Sequence, residues 1–389
     1  MTHISWKRLW GFWVLSRALM IPILPHLSGL YTFDVSYYRD NLTSGNGLAE
    51  YPLLTYWILA LINLIFGEGF RYAFPIILVL LDAAPLAITN RYHHLRAGLF
   101  WLVVSTPLLP LMIHRTDYFS AALVTMGLWA FYRKKNWWLG MFFSLATTIK
   151  VWPAALFSLA VGHIKRQTTW VRIATFAIAT LAITALGFLL TSTDRVLSPF
   201  RTQGERGLQV ESIPATFAHI GRLFSAPGTY VISKPVNIET DELVGPGTSI
   251  LTQLSSLAFI ISLILIALCS LWFFFRPTSA PVIGSAITSA ILLIICTNKV
   301  LSPQYLCWFL MPFCIILIFN QQVSRLLLIL LCLTPWLTAI YFPFLWEGLL
   351  AGQRLPTLIL ILRNLCLVAA TLLSLRDFLT RLRMERART

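Results

Sequence analysis

Residues 250–275, ILTQLSSLAFIISLILIALCSLWFFF, contain no charged side chain. An uncharged apolar run of at least about 18 residues can cross the hydrocarbon core of a bilayer as one helix. The composition of the whole chain agrees, since it is 57% hydrophobic and only 12% charged, with a mean hydropathy of +0.75. An ordinary soluble domain carries roughly 25% charged residues. The sequence therefore predicts an all-α polytopic membrane protein.

Further apolar runs lie on both sides of this one, and most are long enough to form a membrane helix. They cover residues 8–26, 52–67, 72–89, 97–113, 117–132, 137–149, 151–163, 168–191, 279–297, 302–319, 323–342 and 355–375. The longest polar segment between them is too short to build a core of its own. We therefore expect one domain over residues 1–389, with about twelve transmembrane helices if both termini lie on the same side. The first run continues past Pro22 without a cleavage site of small residues, which predicts a retained helix.

Basic residues are concentrated in short loops and at the C-terminus. They form clusters at 7–8, 133–135, 165–166 and in the tail, 376–389. Because Lys and Arg are enriched in the cytoplasmic loops of membrane proteins, these segments and both chain termini are predicted to be cytoplasmic. Topology thus accounts for the net charge of +15, and we expect no nucleic-acid partner.

Two polar segments, 27–52 and 192–249, are predicted to be external loops of a multi-pass protein of the cell membrane. This scheme contains one inconsistency. Three crossings between residue 52 and the pair Arg115 and Asp117 would place that pair on the wrong side. One of the runs between 52 and 113 must therefore fold back or lie on the surface. Pro107 and Pro110 make 97–113 a candidate, because proline interrupts the hydrogen bonding of a helix.

The first polar segment, LSGLYTFDVSYYRDNLTSGNGLAEYP, holds three acidic residues, Asp34, Asp40 and Glu50. It is either a solvated linker or part of an active site at the membrane surface. Other ionisable and polar residues are predicted at the same face, namely Arg115, Asp117, Lys150, Asn298, Lys299, Ser302 and Gln304. Ionisable residues within membrane segments are costly and commonly functional. The alternative is that Arg115 pairs with Asp117 and that the lysines extend to the interface.

The second polar segment contains ERGLQVESIPATF at 205–217. Its RGLQVES portion is predicted to begin a helix on the membrane face. There Arg206 would contact a phosphate, and Gln209 and Glu211 would reach sugar hydroxyls, unless all three are solvated loop residues. The charged residues that follow, Lys234, Glu239, Asp241 and Glu242, are predicted to be ordinary loop.

Signatures of several other protein classes are absent. The chain has no GxGxxG, Walker, HExxH or GxSxG motif. Its six cysteines lie in or beside apolar runs without a CxxC spacing, which predicts neither disulfides nor a zinc site. His93 and His94 are typical of a surface turn. Asp82, an acid inside an apolar run, could line a cavity or cap a broken helix.

Five segments together resemble the GT-C superfamily of membrane glycosyltransferases. The first is the loop in which FDVSYY carries Asp34 and which Tyr51 and Pro52 close. The others are RTDYFSAAL at 115–123, KVWPAALF at 150–157, RGLQVES at 206–212 and KVLSPQY at 299–305. Their order is similar to that in the polyprenol-phosphate-mannose-dependent mannosyltransferases of glycosyltransferase family eighty-seven, which includes actinobacterial enzymes.

The resemblance implies a GT-C fold whose two external loops carry short surface helices. It also implies an inverting transfer of a hexose, mannose by class, from a polyprenyl-phosphate donor to a hydroxyl of a lipid or cell-envelope glycan outside the cell. Asp34 would act as general base, with Asp40 as the fallback, and Glu50 would orient the acceptor. No cofactor is implied, and a divalent cation is not required.

Other site residues follow from the same motifs and from the predicted clustering of charges. The expected contacts to the donor phosphate are Lys299, Arg206, Gln304 and Lys150. The expected contacts to the sugar or the acceptor are Arg115, Asp117, Gln209, Glu211 and Tyr38. RGLQVES is not a feature of the mannoside enzymes, so the sugar and the acceptor stay open. The alternatives are a secondary transporter, which would place its polar residues near mid-membrane, and a flippase or polymerase of lipid-linked sugars.

Overall fold

The computed structural model describes residues 5–23, 29–44, 48–234, 240–320 and 322–387. These residues form seventeen α-helices and one antiparallel pair of short strands. The elements are α1 (Trp6–Ile23), α2 (Gly29–Thr43), α3 (Leu53–Phe66), α4 (Phe70–Arg91), α5 (Leu95–Met112), α6 (Asp117–Tyr132), α7 (Asn136–Ile149), α8 (Pro153–Ala160), α9 (Gln167–Leu190), α10 (Thr193–Glu205), α11 (Ala215–Phe224), β1 (Val231–Ser233), β2 (Glu242–Val244), α12 (Thr248–Phe275), α13 (Ala280–Thr297), α14 (Cys307–Phe319), α15 (Arg325–Tyr341), α16 (Trp346–Leu350) and α17 (Arg354–Arg386).

Six helical stretches in the described part of the chain are long and apolar enough to cross a membrane. They are Leu53–Arg91, Leu95–Met112, Gln167–Leu190, Thr248–Phe275, Ala280–Thr297 and Arg354–Arg386. In α9 only 6% of the apolar window is buried, and in α12 only 22%. Apolar faces this open mark a membrane or interaction surface, and the length of both helices fits the hydrocarbon core of a bilayer. The prediction of an all-α multi-pass membrane protein is therefore confirmed, apart from the small hairpin.

The centre of the bundle is formed by α14, in which every residue from Cys307 to Ile318 is buried. A helix that is apolar on all sides can be enclosed by other elements without burying a polar side chain. Accordingly, α14 packs against α4, α5, α6 and α13. It begins two residues after KVLSPQY ends at Tyr305, so this enclosed helix also holds one of the predicted motifs in place.

Of the runs between residues 52 and 113, α3 is the one that does not cross the bundle. The predicted candidate, 97–113, instead forms α5, which is one continuous helix despite Pro107 and Pro110. Tyr51, just before α3, and Phe74, early in α4, both pack edge-on against Tyr38, each with its ring centroid 5.6 Å away. A straight helix of this length rises about 20 Å. If α3 ran down the bundle, Phe74 could not return to the ring that Tyr51 contacts. Glu68, after α3, also pairs with Arg39 of α2.

Residues 376–386 of the basic tail complete the 33-residue helix α17, and the side of the membrane on which they lie stays a prediction; residues 388–389 lie outside the described part of the chain. One other expectation is corrected. RGLQVES does not begin a helix. It runs extended beside β2, with Leu243 N donating to Leu208 O at 2.8 Å and Val210 N donating to Asp241 O at 3.1 Å. These bonds to a distant strand outweigh any local helical preference, and α11 begins only after Pro214.

Asp82 neither lines a cavity nor caps a broken helix. It is fully buried in α4 and pairs with Arg17 of α1, whose Nη2 lies 2.7 Å from Oδ2. Its Oδ1 accepts a hydrogen bond of 2.6 Å from Tyr118 of α6, and Trp13 Nε1 donates to Oδ2 at 2.6 Å. A buried charge is tolerated when it is paired and hydrogen-bonded in this way. The cluster therefore ties α1, α4 and α6 together.

Candidate functional site

A pocket of about 280 Å³ opens at one end of the bundle, where segments distant in sequence meet. Nine of the twelve residues predicted for the site line it, namely Asp34, Glu50, Arg115, Asp117, Lys150, Arg206, Gln209, Glu211 and Gln304. They come from α2, from the turns before α3, α6, α8 and α14, and from the extended segment after α10. The structure thus brings together most of the polar residues that the sequence singled out.

Two ion pairs line the pocket, and each joins residues from different segments of the chain. Arg115 contacts Asp34 on α2, and Lys150 Nζ lies 2.5 Å from Asp117 Oδ1. The open possibility that Arg115 pairs with Asp117 is not what the structure records, since each residue finds its partner on another element. Burial lowers the pKa of Arg115 to about 10, so its guanidinium remains charged at neutral pH.

Lys150 lies at the break between α7 and α8 and faces an aromatic group. Its Nζ is 5.0 Å from the ring centroid of Tyr305 and 5.4 Å from that of Trp308. Trp308 Nε1 also donates to Asp117 Oδ1 at 2.8 Å. Burial opposes the charge on Lys150, but the Asp117 carboxylate outweighs this and raises the lysine pKa. A permanent ammonium is therefore held beside a stacked aromatic platform.

The turn that carries Glu50 is fastened by α10. Arg195 Nη2 donates to the carbonyl oxygens of Leu48 and Tyr51 at 3.2 and 3.0 Å, and Ser198 Oγ donates to the Ala49 oxygen at 2.6 Å. A turn with several carbonyls engaged has few alternative conformations. Glu50 is therefore kept on the pocket wall by a helix of the second polar segment.

RGLQVES and KVLSPQY are joined through Gln209. Its backbone N–H donates to Lys299 O at 3.1 Å, and its side-chain oxygen accepts from Leu301 N at 2.6 Å. Its side-chain Nε2 lies 3.4 Å from Ser302 Oγ. The two motifs, about ninety residues apart in the sequence, therefore form one wall of the pocket.

Glu211 is 1% exposed and lies at the inner side of the pocket. Tyr341 OH donates to its Oε1 at 2.5 Å, and Gln209 Nε2 donates to its Oε2 at 3.2 Å. Arg363 Nη2 stands 3.8 Å from Oε1 and donates to Tyr341 OH at 2.6 Å. Burial raises the Glu211 pKa to about 7, although Arg363 and Tyr341 act in the opposite direction. This carboxyl group therefore changes charge near neutral pH.

Arg363 and Tyr341 were missed at the level of sequence. Arg363 is the one basic residue between Leu355 and Ser374, and an intramembrane arginine is a functional or structural signal by itself. It is fully buried, and its Nε and Nη1 have no hydrogen-bond partner among the described residues. Tyr341 carries no comparable signal, because a tyrosine at the end of an apolar run is ordinary.

Arg206 is a pocket cation without an ion-pair partner in the described part of the chain. Its Nε is buried and has no hydrogen-bond partner there either. Lys299 is close by but does not line the pocket, and its Nζ donates to Gly204 O at 3.1 Å. Burial and the charge of Arg206 lower the Lys299 pKa, and Glu242 partly offsets them. Arg206 is thus the cation most available to an anion entering the pocket.

The hairpin of β1 and β2 covers part of the pocket, so the prediction of an ordinary loop for this region was wrong. Lys234 and Asp241 line the pocket and form an ion pair of 3.5 Å. Glu242 is buried, and its Oε1 accepts from Gly207 N at 2.6 Å. A Cβ on Gly207 would lie 2.3 Å from Glu242 Oε2, so a larger residue here would displace the Glu242 carboxylate. Glu239 lies outside the described residues.

Three predicted residues do not line the pocket: Lys299, Asp40 and Tyr38. Asp40 is exposed on α2. Tyr38 is buried behind Tyr51, with the two hydroxyl oxygens 3.4 Å apart. No group of three or more His, Cys, Asp or Glu side chains within the described ranges could hold a metal ion.

No family model, curated protein or solved structure matches the chain. Its function must therefore be argued from the pocket. Five acidic residues and four cations line that pocket: Asp34, Glu50, Asp117, Glu211, Asp241, Arg115, Lys150, Arg206 and Lys234. Such a mixture can bind an anionic group and accept a proton within one cavity.

Proposed function

We propose that the protein is an inverting membrane glycosyltransferase, which moves a hexose from a polyprenyl-phosphate donor to a hydroxyl of a lipid or cell-envelope glycan. The observation that carries this proposal is the meeting of Asp34, Arg115, Lys150 and Arg206 in one pocket at the end of an apolar helix bundle. A lipid-linked phosphate needs cations for its head and apolar surface for its tail, and the pocket lining contains both basic side chains and the aromatic rings of Phe33, Phe342 and Trp346. Mannose is the class of sugar that the motif resemblance favours.

The proposed architecture is of the GT-C type. In this proposal twelve helices, α1, α4 to α9, α12 to α15 and α17, lie within the membrane, with α7 and α8 shorter than a full span, and α2, α3, α10, α11 and α16 lie at the polar end. The basic turns at 133–135 and 165–166 are at the opposite end of α6 and α9 from the pocket. Because basic loops stay in the cytoplasm, both termini are cytoplasmic and the pocket faces the outside.

The donor phosphate binds to Arg206, with Lys150 and Gln304 on the same wall and Lys299 behind it. In the reaction the bond between the sugar C1 and the phosphate oxygen breaks, and its electron pair remains on the phosphate. Cations at that oxygen stabilise the charge as it develops. Because Lys150 already balances Asp117, Arg206 supplies the uncompensated positive charge.

The acceptor hydroxyl attacks C1 from the face opposite the leaving phosphate, and Asp34 takes its proton. Arg115 fixes the direction of the Asp34 carboxylate through their ion pair. One displacement inverts the anomeric centre and needs a single base. Glu50 and Asp117 orient the acceptor hydroxyl, and Gln209 and Glu211 contact sugar hydroxyls.

A transporter is the rival proposal, but it would place its polar site near mid-membrane. One buried pair in the bundle, Arg17 with Asp82, is instead satisfied by its own contacts and its neighbours, and the buried Arg363 is directed to Glu211 of the pocket. The polar and charged residues predicted for the site therefore line a pocket at the end of the bundle and not at mid-membrane, which favours the enzyme over the transporter.

The test is sugar transfer from radiolabelled polyprenyl-phosphate mannose and glucose in membranes that contain the full-length protein. Asp34→Asn is expected to reduce transfer by at least about a hundredfold, as loss of a general base commonly does. Asp40→Asn, on the same helix but outside the pocket, is expected to retain transfer. Full activity of Asp34→Asn would refute the assignment of the base. Sugar counterflow in proteoliposomes without any transfer would support the transporter instead.

A further inference from the structure

A second cavity, of about 500 Å³, lies at the opposite end of the bundle. Its wall includes Tyr132, the last residue of α6, whereas Asp117, the first residue of that helix, lines the polar pocket. Because α6 has 16 residues, its two ends are about 22 Å apart. The second cavity is therefore independent of the first.

Basic side chains from three segments converge on this cavity. Lys134 comes from the turn between α6 and α7, His163 and Arg166 come from the turn before α9, and Arg172 comes from α9 itself. No acidic residue is among the described residues that line it. Glu385 is bonded next to the lining residue Thr278, where the Ser279 N–H donates to its Oε1 at 3.0 Å.

Arg172 is built into the wall of the cavity. Its Nε donates to Asn136 Oδ1 at 2.8 Å, and its Nη1 donates to Ala160 O at 2.8 Å. Gly162 has a φ of +99°, and a Cβ there would lie 3.2 Å from Arg172 Nη1. A glycine is therefore needed for the chain to turn around the guanidinium.

The first turn of α9 adds positive potential, because Gln167 and Thr168 also line the cavity. This helix has no acidic residue in its first turn and no side-chain cap. By contrast, the N–H of Ser279 at the start of α13 is satisfied by Glu385. A helix N-terminus without an acid favours an anion, and here three permanent cations surround it.

The floor of the cavity is apolar, formed by Phe131, Phe273 and Ile283. A site with a cationic rim above an apolar floor suits an amphiphile better than a small inorganic ion. We infer that this cavity binds the phosphate headgroup of an anionic phospholipid, with an acyl chain lying on the apolar floor. Basic pockets between membrane helices are a recognised chemistry for such headgroups.

The test uses purified full-length protein titrated with phosphatidylglycerol, phosphatidylcholine or inorganic phosphate, with bound lipid counted by native mass spectrometry and thermal unfolding followed in parallel. Lys134→Gln/Arg166→Gln removes two charges from the cavity. Arg133→Gln/Lys165→Gln removes two charges from the neighbouring positions, which do not line it. All four side chains are exposed, so both variants are expected to fold.

Phosphatidylglycerol is expected to bind the wild type in preference to phosphatidylcholine. The cavity variant should weaken that binding by about tenfold or more, since each basic residue near an anionic lipid contributes about 1 kcal/mol. The matched variant should bind nearly as the wild type does. An equal loss in both variants, or no preference over phosphatidylcholine, would overturn the site. Protection by inorganic phosphate equal to that by phosphatidylglycerol would overturn the lipid assignment.

Discussion

Lys150 and Asp117 form an ion pair with Nζ 2.5 Å from Oδ1, although 33 residues separate them in the chain. The pair joins the start of α6 to the break between α7 and α8. Thr55 Oγ1 donates to Ile149 O at 2.9 Å and attaches α3 to the same break. A change at either charged residue therefore acts on the other and on the geometry of the pocket.

Lys150→Met is expected to lower both stability and sugar transfer, because it leaves the nearly buried Asp117 carboxylate without its cation. Loss of one partner of a buried pair costs about 3–5 kcal/mol. The Lys150 side chain is 21% exposed, so we expect the lower end of that range. The measurement is thermal unfolding of the purified protein.

The control is the double variant Lys150→Met/Asp117→Asn, which removes both charges. It is expected to be more stable than Lys150→Met alone, since no unpaired charge remains. Destabilisation equal to the sum of the two single variants would mean that the contact contributes nothing.

Glu211 is expected to make the stability of the protein depend on pH. Its folded pKa of about 7 lies above the ordinary value of 4.5, so the folded state binds more protons between these values. Stability should therefore fall as the pH rises from about 4.5 to about 7 and then level off, with about 1.4 kcal/mol for each unit of pKa difference. Thermal unfolding of the wild type and of Glu211→Gln, measured from pH 4.5 to 8, tests this. The variant should lose this part of the dependence, and an unchanged profile would contradict the prediction.

Arg363 is expected to act on the titration of Glu211 and not only on packing. Arg363 and the Tyr341 hydroxyl both lower the pKa of Glu211 against the effect of burial. Arg363→Met should therefore raise that pKa, so that the fall in stability extends to higher pH than in the wild type.

The matched variant is Tyr341→Phe, which removes the hydroxyl donor and keeps the arginine charge. It should shift the pH profile in the same direction but by less. A purely structural role for Arg363 would lower stability equally at every pH, and that result would contradict the prediction.

The helix ends were predictable where charge or proline marks them. The basic turn at 133–135 ends α6 and precedes α7 as expected, and Lys150 separates α7 from α8. The polar residues at one face were also predictable as a set, because nine of the twelve line one pocket. Hydropathy and charge were sufficient for these features, since both act locally along the chain.

What was missed depends on contacts between distant segments. The apolar content of α3 matches that of a membrane span, and only the packing of Tyr51 and Phe74 on Tyr38 reveals that the chain returns. Arg115 and Asp117 are close in sequence, but side chains two positions apart point in different directions. RGLQVES is extended because β2, more than thirty residues later, supplies its hydrogen bonds. No local pattern contains that information.

Arg206 is expected to set the affinity for the phosphate donor. Arg206→Gln should raise the KM for polyprenyl-phosphate sugar by about tenfold or more, because a charge-assisted contact to phosphate contributes about 1.5–3 kcal/mol. It should also lower kcat if the same cation stabilises the leaving phosphate. Initial rates of transfer over a range of donor concentrations give both constants.

Lys299→Gln is the comparison that distinguishes contact from general charge. It removes the same unit of positive charge nearby, but the Lys299 ammonium is bonded to Gly204 O and lies outside the pocket lining. Its KM for the donor should therefore change less than that of Arg206→Gln. Equal increases in the KM for the donor would mean that donor binding depends only on the net positive charge near the pocket and not on a direct contact with Arg206. A larger effect of Lys299→Gln would transfer the phosphate contact from Arg206 to the lysine of KVLSPQY.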